Sequence, residues 1–201
     1  MTVGDRPSRR QQILEALARE LETSPGVRIT TSRLAERVGV SEAALYRHFP
    51  SKGKMFEALI VFAEESVFGL VRRILAEEAG SLRRCEGILG LLLGFAARNP
   101  GITRVLTGDA LAGEDARLRE RANQFFNRLE TQLKQVLREG EAAGELRLAA
   151  SAPGIANLLM VIVEGRMIRF VRSRFTLDPL DAWREQWPAV AGLLGGDGRS
   201  P

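Results

Sequence analysis

Between Thr31 and Pro50 the chain reads Thr-Ser-Arg-Leu-Ala-Glu-Arg-Val-Gly-Val-Ser-Glu-Ala-Ala-Leu-Tyr-Arg-His-Phe-Pro, and few backbone arrangements satisfy that spacing. Two short helices that cross steeply need a small residue where they touch, and Ala35 supplies it. The turn needs a residue that tolerates positive φ, and Gly39 stands four positions later. The second helix needs an apolar plug for the joint, and Leu45 follows six positions after the glycine. Leu34, Val38 and Val40 complete a small core, and Ser41 is placed to cap the second helix. The segment therefore predicts helices over 31–38 and 42–48 joined as a helix-turn-helix. A generic helical hairpin does not require these three offsets together.

The rest of the chain also points to helices. There is one tyrosine, little alternation of period two and no Asn-Gly turn, while apolar residues recur at three and four. A first helix is expected over about 8–22 on the stripe Ile13, Leu14, Leu17, Ala18 and Leu21, ended by Ser24-Pro25-Gly26. Ser51 is the expected N-cap of a long helix from 52 to about 79, about 40 Å in length. Further helices are expected over about 82–97, 101–111, 114–141, 151–174 and 179–194. Asn99-Pro100-Gly101 and Gly144 serve as breaks. Pro188 is awkward within the last, which should either kink there or become regular near that residue. The fold class is all-α, with about nine helices. Residues 8–54 are expected to form a three-helix head that carries the helix-turn-helix, and 55–195 a larger helical body. Residues 1–7 and 196–201 are read as flexible tails.

Charge separates the same two regions. Residues 1–54 hold ten Lys and Arg against six Asp and Glu, whereas the remainder holds 19 of each. All the excess positive charge lies in the head, as expected for a polyanion partner. Cys85 is the only cysteine and His48 the only histidine. No internal disulfide, zinc spacing or Ser-His-Asp constellation follows, so neither an enzyme nor a metal or cofactor is expected. A reducing cytosol is the expected compartment. The apolar runs 88–97 and 158–163 fall short of the about 20 residues that span a bilayer, so no membrane partner is expected.

In the usual docking mode the second helix enters the major groove with its N-terminal part foremost. Ser41, Glu42, Ala43, Tyr46 and Arg47 then face double-stranded DNA. Arg47 suits a guanine edge or a phosphate, and Tyr46 a phosphate or thymine methyl. Glu42 either favours the helix N-terminus through the macrodipole or accepts from a cytosine amine. Thr30, Thr31, Lys52 and Lys54 fit phosphate contacts. His48, expected against the core of the motif, suits packing or a phosphate. Cys85 is expected to be a small helix residue.

The run Ile29 to Lys52, with Met55-Phe56 and Leu59-Ile60 beyond it, resembles the TetR family of dimeric regulators. Leu91 to Phe95, Arg98 to Gly108, Gln132 to Glu139 and Arg169 to Phe175 resemble, within that family, the nucleoid occlusion proteins. The resemblance spans about residues 9–194. It implies a cytoplasmic, nucleoid-associated inhibitor of cell division. Such a protein binds palindromic chromosomal sites, as one dimer or as paired dimers, captures the C-terminal tail of FtsZ and blocks Z-ring assembly without a small-molecule inducer. The implied tail site matches Phe62, Leu91, Gly94, Arg98 and Asn99. The family pattern implies a basic residue where this chain has Leu70, and Arg73, one helical turn on, is the candidate to replace it.

The residues themselves support two accounts of that region. Gly87, Gly90 and Gly94 share one expected helix, each costing about 1 kcal/mol relative to alanine. Either they let helices pack closely, or they floor a groove that admits a peptide. Leu91, Gly94 and Arg98 share one face, and Phe62, Ser66, Gly69 and Arg73 share a face of the preceding helix. A homodimer is expected through the last two helices. Ile155, Leu158, Leu159, Ile162 and Val163 on one, and Trp183, Trp187, Val190 and Leu194 on the other, exceed what a lone chain should bury. The alternative function is a TetR-type repressor released from its operator by a small apolar ligand held in the body.

Overall fold

The computed structural model describes residues 8–24 and 29–195. The expected tails, 1–7 and 196–201, and the Pro25-Gly26 turn lie outside the described residues. Among the described residues there are nine α-helices and no strand. They are α1 (Arg9–Thr23), α2 (Thr31–Val38), α3 (Glu42–His48), α4 (Lys52–Glu77), α5 (Ser81–Arg98), α6 (Pro100–Leu106), α7 (Ala116–Ala142), α8 (Ala152–Arg172) and α9 (Trp183–Gly192). A single 3₁₀ turn, Asp109–Leu111, follows α6.

Local chemistry sets these limits. The Ser8, Thr30, Ser41 and Ser51 side chains accept from the backbone N–H groups of Gln11, Arg33, Ala44 and Lys54, so each of the first four helices starts on a side-chain cap. Gly39 closes α2 at φ 71°, donating to the carbonyls of Ala35 and Glu36. The segment expected as one helix over 101–111 is divided because Gly108 adopts φ 80°. Pro188 is the sixth residue of α9, so its missing N–H deprives only the Arg184 carbonyl of a helical partner, and the helix runs through.

One continuous core joins all nine helices. Helix α7 packs against α8, α5 and α4. Phe68 of α4 meets Phe125 of α7 edge-on at 5.7 Å, and Phe126 adds a second edge contact at 5.2 Å. Cys85 is fully buried on α5, and burial pushes its thiol pKa up to about 12. The head is held chiefly through α1, which lies against α6. Gly101 sits directly on the Ala18 carbonyl, where a Cβ atom has no room. Beside it the buried Arg104 donates to the Leu21 carbonyl at 2.7 Å and pairs with Asp109 at 2.6 Å.

Candidate functional site

The helix-turn-helix forms as its spacing dictates. Leu34, Ala35 and Leu45 are buried at the joint of α2 and α3, while Ser41, Glu42, Ala43, Tyr46 and Arg47 lie exposed on α3. Two of the exposed groups, Tyr46 and Glu42, are linked through the half-buried Thr31. Tyr46 Oη donates to Thr31 Oγ1 at 3.2 Å, and Thr31 Oγ1 donates to Glu42 Oε2 at 2.8 Å. This chain ties the reading face of α3 to the start of α2, a role for Glu42 that neither sequence-based alternative included. A second tie is buried. The Glu20 carboxylate of α1 pairs with Arg33 and Arg37 of α2, each at 3.0 Å, and accepts from Ser24 Oγ. Arg47 is exposed and, among the described residues, forms no ion pair.

Two residues offered for phosphate contact have surroundings that the sequence did not announce. His48 is exposed rather than packed in the joint, because the adjacent Phe49 fills that position, with the Arg10 guanidinium 4.8 Å above its ring. Lys52 is not a free surface cation. Its Nζ pairs with Glu114, donates to the Ile29 carbonyl at 3.3 Å and lies 5.8 Å from the Phe56 ring centroid. Glu114 stands far along the sequence, and nothing in the local spacing announces it. Thr30 is spent as the α2 cap but stays exposed, and Lys54 is exposed beside Glu57.

Between α1 and α4, directly behind the end of α3, opens a cleft of about 900 Å³. Leu14, Ala18, Ala58, Val61 and Phe62 supply its apolar surface, Arg10, Glu15, Lys54, Glu57 and Glu65 its charges, and His48 a further polar group. A smaller hollow of about 240 Å³ adjoins it, lined by Arg19, Glu22, Arg98 and Asn99 and sharing Glu15, Ala18, Asn99 and Ile102 with the cleft. Of the expected peptide-binding residues, Phe62, Arg98 and Asn99 therefore line these hollows. Leu91 and Gly94 lie on the next part of α5, whereas Ser66, Gly69 and Arg73 continue along α4 away from the cleft. Arg73 is engaged by Glu77 at 3.2 Å, and Leu70 is exposed beside it. The α1 wall was missed in the sequence. Its only trace was the width of the α1 apolar stripe, in which Leu14 and Ala18 fall at the half-buried edge.

The three glycines of α5 differ in surroundings. A Cβ at Gly87 meets Ile74 of α4 at 3.1 Å, so that glycine serves helix packing. Gly90 faces the Trp183 indole nitrogen at 3.8 Å. Gly94 meets only the guanidinium of Arg98, at 3.3 Å, the far end of an exposed side chain that folds back over it.

The expected dimer face also needs correction. Ile155, Leu159, Val163, Trp183, Trp187, Val190 and Leu194 are already buried within the single chain, because α8 packs on α5 and α7 and α9 folds back onto α5. What remains uncovered on α8 is a stripe that keeps Leu158 and Ile162 of the expected face and adds Val161 and Ile168. Leu158, Val161 and Ile168 are 41, 58 and 48% exposed, with half-buried Ile162 and Gly165 between them. These positions recur at three and four along one helical face.

Among the described residues no group of His, Cys, Asp or Glu could hold a metal, and no helix is long and apolar enough to cross a membrane. Residues 13–59 match the model of bacterial regulatory proteins of the tetR family, and residues 79–194 match the SlmA-like tetracyclin repressor-like C-terminal domain. The chain is 57% identical over 186 residues to the nucleoid occlusion factor SlmA of Marinomonas sp., covering 92% of this chain and 94% of that protein. It is 58% identical over 194 residues to the SlmA of Alteromonas mediterranea, covering 96% and 100%. The chain belongs to the SlmA branch of the TetR family. Members of the TetR family are dimeric DNA-binding regulators rather than enzymes, which agrees with the expectation from the sequence. Solved TetR-type structures carry the same fold at much lower identity. The fatty acid degradation regulator FadR of Bacillus halodurans superposes with a TM-score of 0.77 at 16% identity, covering 96% of this chain and 97% of that one. The ketosteroid regulator KstR2 of Mycobacterium tuberculosis gives 0.74 at 20%, covering 96% and 97%.

Proposed function

We propose that this protein is a nucleoid occlusion factor. A homodimer binds palindromic sites on the chromosome through α3, and the DNA-bound dimer captures the C-terminal tail of FtsZ, preventing Z-ring assembly over the nucleoid. The observation that carries this reading is that similarity to proteins named as nucleoid occlusion factors runs through the whole body, not the head alone.

Residues Thr30, Thr31, Ser41, Glu42, Ala43, Tyr46, Arg47, His48 and Lys54 form the DNA face in this reading. Tyr46 and Arg47 read or clamp the duplex, and the others set register. The dimer joins across the α8 stripe of Leu158, Val161, Ile162 and Ile168. The head and body division near residue 54 follows from the same reading, since α4 begins immediately behind the DNA face. The FtsZ tail lies along the cleft and the adjoining α5 face, with Phe62 as apolar floor, Asn99 as a polar contact and Arg98 available to an acidic side chain.

The competing ligand-released repressor requires an apolar chamber inside the body. There, Phe68, Leu89, Leu93, Phe125, Phe126, Leu129, Met160 and Val163 are buried against one another. The cleft between α1 and α4 lies at the junction of head and body, with polar and charged groups in its walls. That shape and chemistry favour an extended peptide over a small apolar effector.

Gly94→Glu tests the reading. The new side chain meets the end of an exposed, oppositely charged side chain rather than backbone, so the melting temperature and DNA binding should stay near those of the unaltered protein. Binding of an FtsZ-tail peptide, and DNA-dependent suppression of FtsZ polymerisation, should be lost. Gly87→Glu, directed at Ile74, should instead lower the melting temperature. Normal tail binding by Gly94→Glu, or early melting of it, would remove α5 from the site.

A further inference from the structure

The connection between α1 and α2 is gripped at both ends by cations. Arg104 of α6 donates to the carbonyl of Leu21, near the end of α1. Lys52, the first residue of α4, donates to the carbonyl of Ile29, just before the α2 cap. Each cation is neutralised by a carboxylate from the segment that joins α6 to α7: Arg104 by Asp109 and Lys52 by Glu114. The two pairs differ in where they meet water. Arg104 is deeply buried and its partner Asp109 is 45% exposed, whereas the Lys52 and Glu114 side chains are 18 and 15% exposed, so both members of that pair are partly buried. Lys52 also directly follows the helix-turn-helix and its Pro50-Ser51 break, on the side of the molecule that presents α3.

We propose that Glu114 is a positioning residue for DNA binding: it holds Lys52 in a latch that fixes the head on the body and withholds this lysine from the phosphate backbone. The proposal rests on the reading of α3 and its surroundings as the DNA face. A lysine ammonium is a compact charge that cannot neutralise a carboxylate and a phosphate in full at once. With the pair partly buried, salt screens it less than it screens a surface pair. Glu114 is itself held firmly. Its N–H donates to the Leu111 carbonyl at 3.1 Å, and the next residue, Asp115, caps α7. Glu114 thus reports the position of the α7 start to the base of the head. A non-specific duplex, offering only phosphates, must break this pair to recruit Lys52. A specific site gains base contacts with the pair intact and the head fixed. The latch lowers non-specific affinity while holding the reading helix at one angle, which favours discrimination.

The test measures the salt dependence of binding by fluorescence anisotropy. The probes are a random-sequence duplex and a duplex selected from a random pool by the unaltered protein. Glu114→Gln should tighten binding to the random duplex severalfold and steepen the log–log salt slope by about 0.9 for each lysine released. Its preference for the selected duplex should narrow. In a Lys52→Gln background the same Glu114→Gln change should leave the slope alone. Glu114→Asp keeps the charge but draws it back by one methylene, and its slope should lie between those of the unaltered protein and Glu114→Gln. An unchanged slope in Glu114→Gln, with or without a lower melting temperature, overturns the latch. So does equal steepening in the Lys52→Gln background. If Glu114→Gln does not fold, Glu114→Asp decides alone, and a slope equal to that of the unaltered protein overturns the proposal. An unaltered protein that retains no duplex from the random pool overturns the DNA-face reading itself.

Discussion

Helices α3 and α8 each leave a face uncovered by the rest of the chain, and the two faces have opposite chemistry. The outer side of α3 is small, polar or charged, its largest apolar component being the 42% exposed ring of Tyr46, whose hydroxyl is bonded to Thr31. Water solvates such a surface at little cost. The outer side of α8 is Leu158, Val161, Ile162 and Ile168 around a bare Gly165. Exposure of that stripe forgoes about 25 cal/mol for each Å² of apolar surface left in water. The contrast teaches that α3 awaits a partner without needing one to fold, whereas α8 presents a surface whose stable condition is covered.

The sharpest way to break the comparison is Val161→Glu. On a two-fold axis the substitution brings two carboxylates toward each other inside an apolar interface. An unpaired buried charge costs about 3–5 kcal/mol, enough to lower the dimerisation constant by more than about a hundredfold. Sedimentation should show a monomer at micromolar concentration, with operator affinity falling in step because half-sites are then bound singly. A Val161→Glu protein that remains dimeric would place the interface elsewhere. Arg47→Ala comes next. It should leave the melting temperature unchanged and weaken specific binding by about 1–3 kcal/mol per half-site. If melting drops instead, the α3 face contributes to the fold and the contrast with α8 fails.

How far the sequence foretold these faces depended on the distance over which each residue finds its partners. The head was legible because its determinants are local. Ala35, Gly39 and Leu45 fix the joint within eleven residues, and Thr30, Ser41 and Ser51 cap helices at their own termini, so the bounds of α2 and α3 matched the expected 31–38 and 42–48. The body was legible as helices but not as faces. Helix α8 carries apolar residues around most of its circumference, so periodicity could not separate Ile155 and Leu159, which face α5 and α7, from Val161 and Ile168, which do not. Trp183 and Trp187 were misassigned to an interface for the same reason: that α9 folds onto α5 is decided by tertiary packing. The cleft was half legible. Of its lining, Phe62, Arg98 and Asn99 were singled out by resemblance, while the α1 wall and the Glu114 partner of Lys52 depend on contacts between distant segments.

The smallest effect concerns a carboxylate at the flank of the uncovered α8 stripe. Glu164 is half-buried, and burial first, then the nearby Glu130 of α7, raise its pKa above the ordinary carboxylate value. Glu130 is itself paired with Lys134 at 2.6 Å, which moderates the repulsion. A raised folded-state pKa means that ionising Glu164 disfavours the folded chain relative to the unfolded one. Its favourable contribution is therefore complete below the unfolded-state value, where the carboxyl is protonated in both states. That contribution is lost as pH rises through the higher folded-state value. Glu164→Gln removes the ionisation while keeping the shape. At neutral pH the variant should be more stable than the unaltered protein, by less than about 1 kcal/mol because solvent still reaches the group. Below the ordinary carboxylate range the two should melt together. Thermal melts at acid and neutral pH, read as the difference between the two proteins, isolate this group from the other carboxylates that titrate over the same range. A difference that stays constant with pH would mean that Glu164 keeps its solvation, and that the α8 flank is as open to water as the α3 face.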